Sequence, residues 1–184
     1  DDGSNDRTAE LAQSAGAIVI KHKVNRGKGM AINTAFEWAR EINARAVVLL
    51  DGDGQHNPAE IPIVLEPVLK GKADVVVGSR FLGKNSSIPR YRVLGQQVLT
   101  YITGLGSGLK LTDCQSGFRS FSSEAVEVLN FTKGNVGDVE CEMQFLIKQN
   151  KLKVTEVPIV VSYDVKAKRN PVRQGVGNLF AVFH

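Results

Sequence analysis

A chain of 184 residues is long enough for one α/β domain and short for two. Its 42% hydrophobic content, 23% charged content and net charge of +4 are ordinary for a soluble globular protein and do not argue for nucleic acid. Two cysteines, Cys114 and Cys141, lack C-x-x-C or metal-ligand spacing, which speaks against a zinc site or a disulfide framework and suits reduced, cytoplasmic thiols. No run approaches the roughly 18 apolar residues that a membrane span needs.

The chain opens on D-D-G-S-N-D rather than Met, in what reads as a strand-to-helix turn, so a strand and helix are expected ahead of it in the intact protein. Asp6 to Ala15 is predicted as a helix with Leu11, Ala12 and Ala15 inward and Gly16 as its stop. Ala17 to Lys21 is predicted as a short strand. The basic turn N-R-G-K-G then opens a helix with Ala31, Ala35, Trp38, Ala39 and Ile42 as its apolar stripe. Arg45 to Leu50 is predicted as a strand buried on both faces, running into D-G-D-G-Q-H-N-P. Asn57 caps the next helix, with Pro58 at its first position and Glu60 closing a capping box, and Pro62 and Pro67 keep it short or kinked. Ala73 to Gly78 is a further buried strand. This alternation predicts a largely parallel sheet, whose ligands bind at the carboxyl ends of the strands.

The second half is less regular. Lys84 to Arg92 reads as a polar loop and Val93 to Leu105 as an amphipathic helix using Leu94, Val98, Leu99, Tyr101, Ile102 and Leu105. After D-C-Q-S-G-F-R-S-F come a short helix near Glu124 to Leu129, a helix over Val139 to Gln149 capped by Asp138, and a strand from Lys153 to Ser162. Residues 1–165 form the predicted domain. Residues 166–184, with Lys166, Lys168, Arg169 and Arg173 before an apolar end, are read as a basic segment suited to a phosphate headgroup at an anionic membrane surface, or as a solvated tail.

Several loops gather chemistry at the carboxyl edge. Asp51 and Asp53, separated by one glycine at a strand end, repel each other unless a cation lies between them, and their oxygens suit a hard ion such as Mg²⁺ or Mn²⁺. A bare D-x-D is most often only a turn, so its flanks matter. D-D-G-S offers two acids near a helix start, N-R-G-K-G two cations, and G-S-R ends a strand with Arg80, which equally suits a structural ion pair. Together they describe a metal and basic groups around a phosphate-bearing ligand.

The ordered set D-D-G-S-N-D-R-T, N-R-G-K-G-M-A, D-G-D-G-Q-H, G-S-R-F and D-C-Q-S-G-F-R resembles the inverting family 2 glycosyltransferases of the GT-A fold, nearest to dolichyl- or polyprenyl-phosphate mannose synthases. The resemblance implies an α/β, Rossmann-like, mostly parallel sheet flanked by helices, and a missing opening strand. It implies metal-dependent transfer from a UDP- or GDP-sugar to a lipid phosphate. It makes Asp1, Asp2, Lys28 and Asp51 nucleotide-binding candidates and Asp51, Asp53 and Gln55 the metal set. Arg80 matches the arginine near the sugar or acceptor phosphate, and Asp113, Ser116 and Arg119 match the segment lining the acceptor side. Lys168, Arg169 and Arg173 correspond loosely to the acceptor-phosphate region. Asp53, Asp113 and Arg80 are the catalytic candidates. If the acceptor is a hydroxyl, Asp113 is the preferred base and Glu140 the second, although an acid in a helix's first turn is usually solvent-facing. A family 2 transferase acting on a saccharide or protein hydroxyl, a sugar-nucleotide nucleotidyltransferase and a non-catalytic binding module remain open. The implied location is cytoplasmic, at the cytoplasmic face of a membrane.

Overall fold

Valines set the centre of the molecule. Val75, Val76 and Val77 open strand β2 (Val75–Ser79), and all five of its residues are buried, as a strand covered on both faces requires. The computed structural model describes residues 1–83, 90–132 and 139–162. Within it, β2 belongs to a four-stranded sheet of order β1-β3-β2-β4, with β1 at Ala46–Leu49, β3 at Arg119–Ser122 and β4 at Val154–Pro158. Side chains alternate across a strand. Val75 therefore joins Ile32, Phe36, Phe121 and Ile147 under helices α2 (Lys28–Glu41), α5 (Ser123–Val128) and α6 (Val139–Gln149), where Phe36 meets Phe121 edge-on at 5.2 Å. Val76 faces the other way, with Phe118 and Ile159, toward Val64 and Val68 of α3 (Ile61–Leu69).

β1, β2 and β4 run in one direction, as the helix–strand alternation predicts. β3 runs against both β1 and β2, which makes the sheet mixed. This strand was not foreseen. Arg119, Ser120 and Ser122 are buried polar residues, so the segment lacks the apolar alternation that marks a strand. Its direction matters, because β3 begins at the edge where β1 and β2 end: Leu49 and Val77 both register with Arg119. The D-C-Q-S-G-F segment is thereby delivered to the carboxyl edge.

Other expectations need correction. Ala17 to Lys21 forms no strand; Asp1 pairs with its end, its N–H bonding to the Ile20 carbonyl and its carbonyl accepting from His22 N, and Ile18 stays exposed. Helix α1 is Thr8–Ser14, and Leu11 faces solvent rather than the core. The buried stripe of α2 is Ile32, Phe36 and Ala39 with Asn33, not Ile42. β1 is half-buried because it lies at the sheet edge. Asn57 does cap its turn, accepting from Ala59 N at 3.0 Å, but Glu60 accepts from Val160 N instead of closing a box. Helix α4 (Arg90–Ser107) begins earlier than predicted and buries Leu99, Thr103 and Ser107 while Val98, Tyr101 and Leu105 stay outside. The predicted cap Asp138, the loop residues 84–89 and the basic segment with Lys166, Lys168, Arg169 and Arg173 lie outside the described residues. No helix among the described residues is long and apolar enough to cross a membrane.

Candidate functional site

Asp51 leaves the carboxyl end of β1 and is met there by Lys28 at the start of α2, whose Nζ donates to Asp51 Oδ1 at 2.8 Å. The same Nζ donates to Glu140 Oε1 at 2.5 Å, from the first turn of α6. Glu140, 13% exposed, is therefore a member of the site and not an ordinary solvent-facing acid. Burial works against the charge on Lys28, but Glu140 and Asp51 outweigh it and hold the ammonium protonated well above its usual range. For Asp51, the His56 ring, with Nε2 at 3.8 Å from Oδ2, and Lys28 together hold the carboxyl far below the usual range, against a burial penalty. His56, the last residue of D-G-D-G-Q-H, is a site neighbour that the motif alone does not mark. Its side chain is nearly buried on Phe118, and Nδ1 has no hydrogen-bond partner among the described residues.

The seat under Asp51 is Gly117. A Cβ at that position would lie 2.0 Å from Asp51 Oδ2, so only glycine lets the carboxylate rest on the segment before β3. This is a packing demand between distant positions that no local motif exposes. Lys28, Asp51, Gly117, Glu140, Arg119 and Met143 line a cavity of about 100 Å³ at this point.

Asp53 lies beyond the turn, exposed, with Oδ1 accepting from Gln55 N at 3.0 Å. The Gln55 carbonyl accepts from Ser162 N at 3.0 Å. Among the described residues, no three His, Cys, Asp or Glu side chains are grouped to hold a metal by themselves. The pair Asp51 and Asp53 nevertheless fits a hard divalent ion. Asp51 is held ionised, Asp53 is open to solvent, and Lys28 with Asp51, Asp53 and Glu140 leaves the cluster negative overall.

The two opening acids divide their roles. Asp2 is spent on the turn it faces: Oδ1 lies 2.8 Å from His22 Nδ1 and accepts from Arg26 N, and Oδ2 accepts from Gly27 N at 2.7 Å. Burial opposes its charge, yet these donors pull its carboxyl below the ordinary value. Asp1 accepts from Ser4 N through Oδ1, while Oδ2 is buried without a hydrogen bond among the described residues, 3.6 Å from Lys21 Nζ.

The acceptor-side candidates are arranged differently. Asp113 is fully buried, and Arg80 grips it from Nε and Nη2, each at 2.6 Å, with Arg80 N adding a third bond at 3.0 Å. Glu156 of β4 accepts from Thr112 N, Thr112 Oγ1 and Asp113 N, pinning the same segment. Asp113 is thus the buried ion-pair partner of Arg80. Arg80 fulfils the ion-pair reading. Ser116 Oγ accepts from Phe118 N, and Arg119, 1% exposed, donates to the carbonyls of Ser116 and Cys114. Cys114 and Cys141, distant in sequence, are buried free thiols that both contact Gln115 Nε2, at 3.6 and 3.5 Å.

A family model described as Glycosyl transferase family 2 matches residues 1–129. The chain belongs to that family. This sets aside the nucleotidyltransferase alternative. A Methanococcus voltae protein named UDP-N-acetylglucosamine–dolichyl-phosphate N-acetylglucosaminyltransferase is 38% identical over 149 residues, covering 79% of this chain and 59% of that protein. Dolichol-phosphate mannosyltransferase of Pyrococcus furiosus is 31% identical over 176 residues, covering 91% of this chain and 47% of its own length. The chain therefore spans about half the length of these relatives. Glucosyl-3-phosphoglycerate synthase from Mycobacterium tuberculosis, solved with Mn²⁺ and UDP-glucose, superposes with a TM-score of 0.70 at 20% identity, over 97% of this chain and 62% of that one. The shared fold is GT-A.

Proposed function

We propose that this chain carries the donor site of a metal-dependent, inverting glycosyltransferase that moves a sugar from a UDP- or GDP-sugar to a polyprenyl or dolichyl phosphate. The observation that carries the reading is Asp51, held ionised at the end of β1, with the exposed Asp53 two residues on, set beside a lysine with two carboxylate partners. The relatives named for dolichyl and dolichol phosphate support the acceptor class.

Asp51 and Asp53 would hold Mg²⁺ or Mn²⁺, with water and phosphate oxygens completing its shell. When bound, the ion neutralises charge developing on the departing nucleoside diphosphate. Lys28 supplies a fixed positive charge on the same side, kept protonated by Glu140 and Asp51. Asp2 holds the N-R-G turn by its backbone, which positions Lys28 at the helix start. Asp1 Oδ2 is suited to accept a hydrogen bond from the nucleotide. The acceptor oxygen attacks the anomeric carbon opposite the leaving diphosphate in one displacement. A lipid phosphate is already anionic, so no base is required. This agrees with Asp113 being committed to Arg80.

The test is a partition assay. The chain is incubated with Mn²⁺ or Mg²⁺, radiolabelled nucleotide sugars and polyprenyl phosphate, then extracted into organic solvent. Label in the organic phase that depends on metal and disappears in Asp53→Ala supports the reading. Transfer only to water-soluble saccharides overturns it.

A further inference from the structure

The interior between α4, α6 and the segment before β3 is polar, and it holds both cysteines of the chain. Cys114 and Cys141 are 0% and 4% exposed. Gln115 Nε2 lies 3.6 Å from Cys114 Sγ and 3.5 Å from Cys141 Sγ, so one amide spans the two sulfurs. Helix α4 reaches each of them as well: Thr100 Oγ1 donates to Cys114 Sγ at 3.3 Å, and Thr103 Oγ1 lies 3.4 Å from Cys141 Sγ. Gln144, fully buried, donates from Nε2 to the Cys114 carbonyl at 3.4 Å, while its Oε1 has no hydrogen-bond partner among the described residues.

A buried cysteine among apolar neighbours is a small inert hydrophobe whose thiol is raised by desolvation. This pair is set otherwise. A hydrogen bond from Cys141 is the main influence on Cys114, and with Thr100, Gln115 and Gln144 it pulls the Cys114 thiol below its ordinary range against the opposing effect of burial. Two sulfurs in hydrogen-bond contact, one of them favoured as thiolate, stand where a disulfide can close. Closure would draw them to about 2.05 Å.

Both sulfurs are tied to the donor site. Cys141 directly follows Glu140, the partner of Lys28, in the first turn of α6. Cys114 lies on the segment that carries Gly117, on which Asp51 rests. Drawing one sulfur to the other therefore pulls on the Lys28–Glu140 contact and on the seat of Asp51 together.

We propose that Cys114 and Cys141 are a redox pair, closed to a disulfide by hydrogen peroxide and reopened by a dithiol, and that closure weakens the donor site. The pairing stands on the geometry of the sulfurs; its consequence rests on the donor-site reading. The Cys114 thiolate attacks a peroxide oxygen: an S–O bond forms, the O–O bond breaks, and the departing hydroxide takes up the proton that Cys114 released, leaving as water. The Cys141 thiol then attacks the sulfenic sulfur of Cys114. The S–S bond forms, the S–O bond breaks, and hydroxide leaves with the Cys141 proton as a second water. Two electrons pass from the thiols to the peroxide, and a dithiol returns them by exchange. In a reducing compartment the closed form is transient.

Peroxide treatment of the folded chain, followed by acid quenching, alkylation and peptide mass mapping, reads the pair directly. The expected product is a Cys114–Cys141 linked peptide from within one chain, lighter by two hydrogens and lost on adding dithiothreitol. Mn²⁺ affinity measured by calorimetry should fall about tenfold in the closed form and recover on reduction, as for other disturbances behind a metal site. Cys141→Ser keeps a hydrogen-bonding group for Thr103 and Gln115. It should form no linked peptide and bind Mn²⁺ like the reduced parent, which traces the loss to the bond itself.

Four outcomes overturn the inference. They are both cysteines still open to alkylation after peroxide, oxidation that yields only sulfinic acid or a disulfide between chains, a linked peptide with unchanged Mn²⁺ affinity, or weakened Mn²⁺ binding by reduced Cys141→Ser. If even the reduced parent binds no Mn²⁺, the donor-site reading fails and the consequence with it, while the linked peptide still judges the pair.

Discussion

Two sets of charged residues lie along the same edge of the sheet and are built on opposite principles. Around β1, Lys28 is 47% exposed and Asp51 about a third exposed, and the cluster keeps a negative excess directed outward. Before β3, Asp113 and Arg119 are 0% and 1% exposed, and their polar atoms are consumed by Arg80 and by backbone carbonyls. The first set is arranged to meet something, whereas the second holds the floor on which the first stands. Gly117 joins them, because it belongs to the buried segment yet seats Asp51. Motif residues along one edge thus divide into those left partly open to solvent and those that fix geometry.

The contrast can be broken most forcefully at its buried end. Asp113→Ala would leave the Arg80 guanidinium without its partner in the interior, at a cost of about 3–5 kcal/mol in urea unfolding. A change below 1 kcal/mol would move the pair into the exposed class. Gly117→Ala should come next, destabilising by about 1–3 kcal/mol through the clash with Asp51 and weakening Mn²⁺ binding measured by calorimetry. Parent-like Mn²⁺ affinity would show that the seat is not needed. Lys28→Ala should cost under about 1 kcal/mol, since its ion pairs are half in water, while lowering affinity for a nucleoside diphosphate. Asp53→Ala should move stability by no more than about 0.5 kcal/mol, yet reduce transfer about a hundredfold or more.

The charges also predict a pH window. Asp51 titrates below its unfolded value near 3.9, so its contribution is complete above about pH 4 and is lost as pH falls further. Lys28 titrates above its unfolded value near 10.4, so its contribution is complete below about pH 10 and is lost as pH rises through the folded value. Asp51→Asn should flatten the acid limb of a stability profile, measured by denaturant unfolding from pH 2 to 7. An unchanged acid limb would place the titration elsewhere.

What the sequence could reveal follows the same division. Helices α2, α3 and α6 and strands β1, β2 and β4 carry apolar periodicity and were readable, and Asn57 announced its cap. β3 was hidden because its buried positions are Arg119, Ser120 and Ser122. Asp51 and Asp53 stood out through the order of the motifs around them, since a bare D-x-D is most often only a turn. The Arg80–Asp113 pair could not be told from a ligand-facing pair, since the same residue types serve both and only burial separates them. Glu140 was underrated, because its lysine lies far away in sequence and meets it only through the fold.

The antiparallel insertion of β3 has a bearing on how the protein acquires its activity. β3 pairs Ser122 with Ala46 and Phe121 with both Val47 and Val75, so the sheet closes only when remote parts of the chain meet. Pairings of such long sequence separation form late, after the loop entropy has been met. Gly117 arrives under Asp51 with that strand. Divalent-ion binding should therefore appear in step with the slowest refolding phase, and an incompletely folded chain would be inert toward sugar nucleotides instead of merely sluggish.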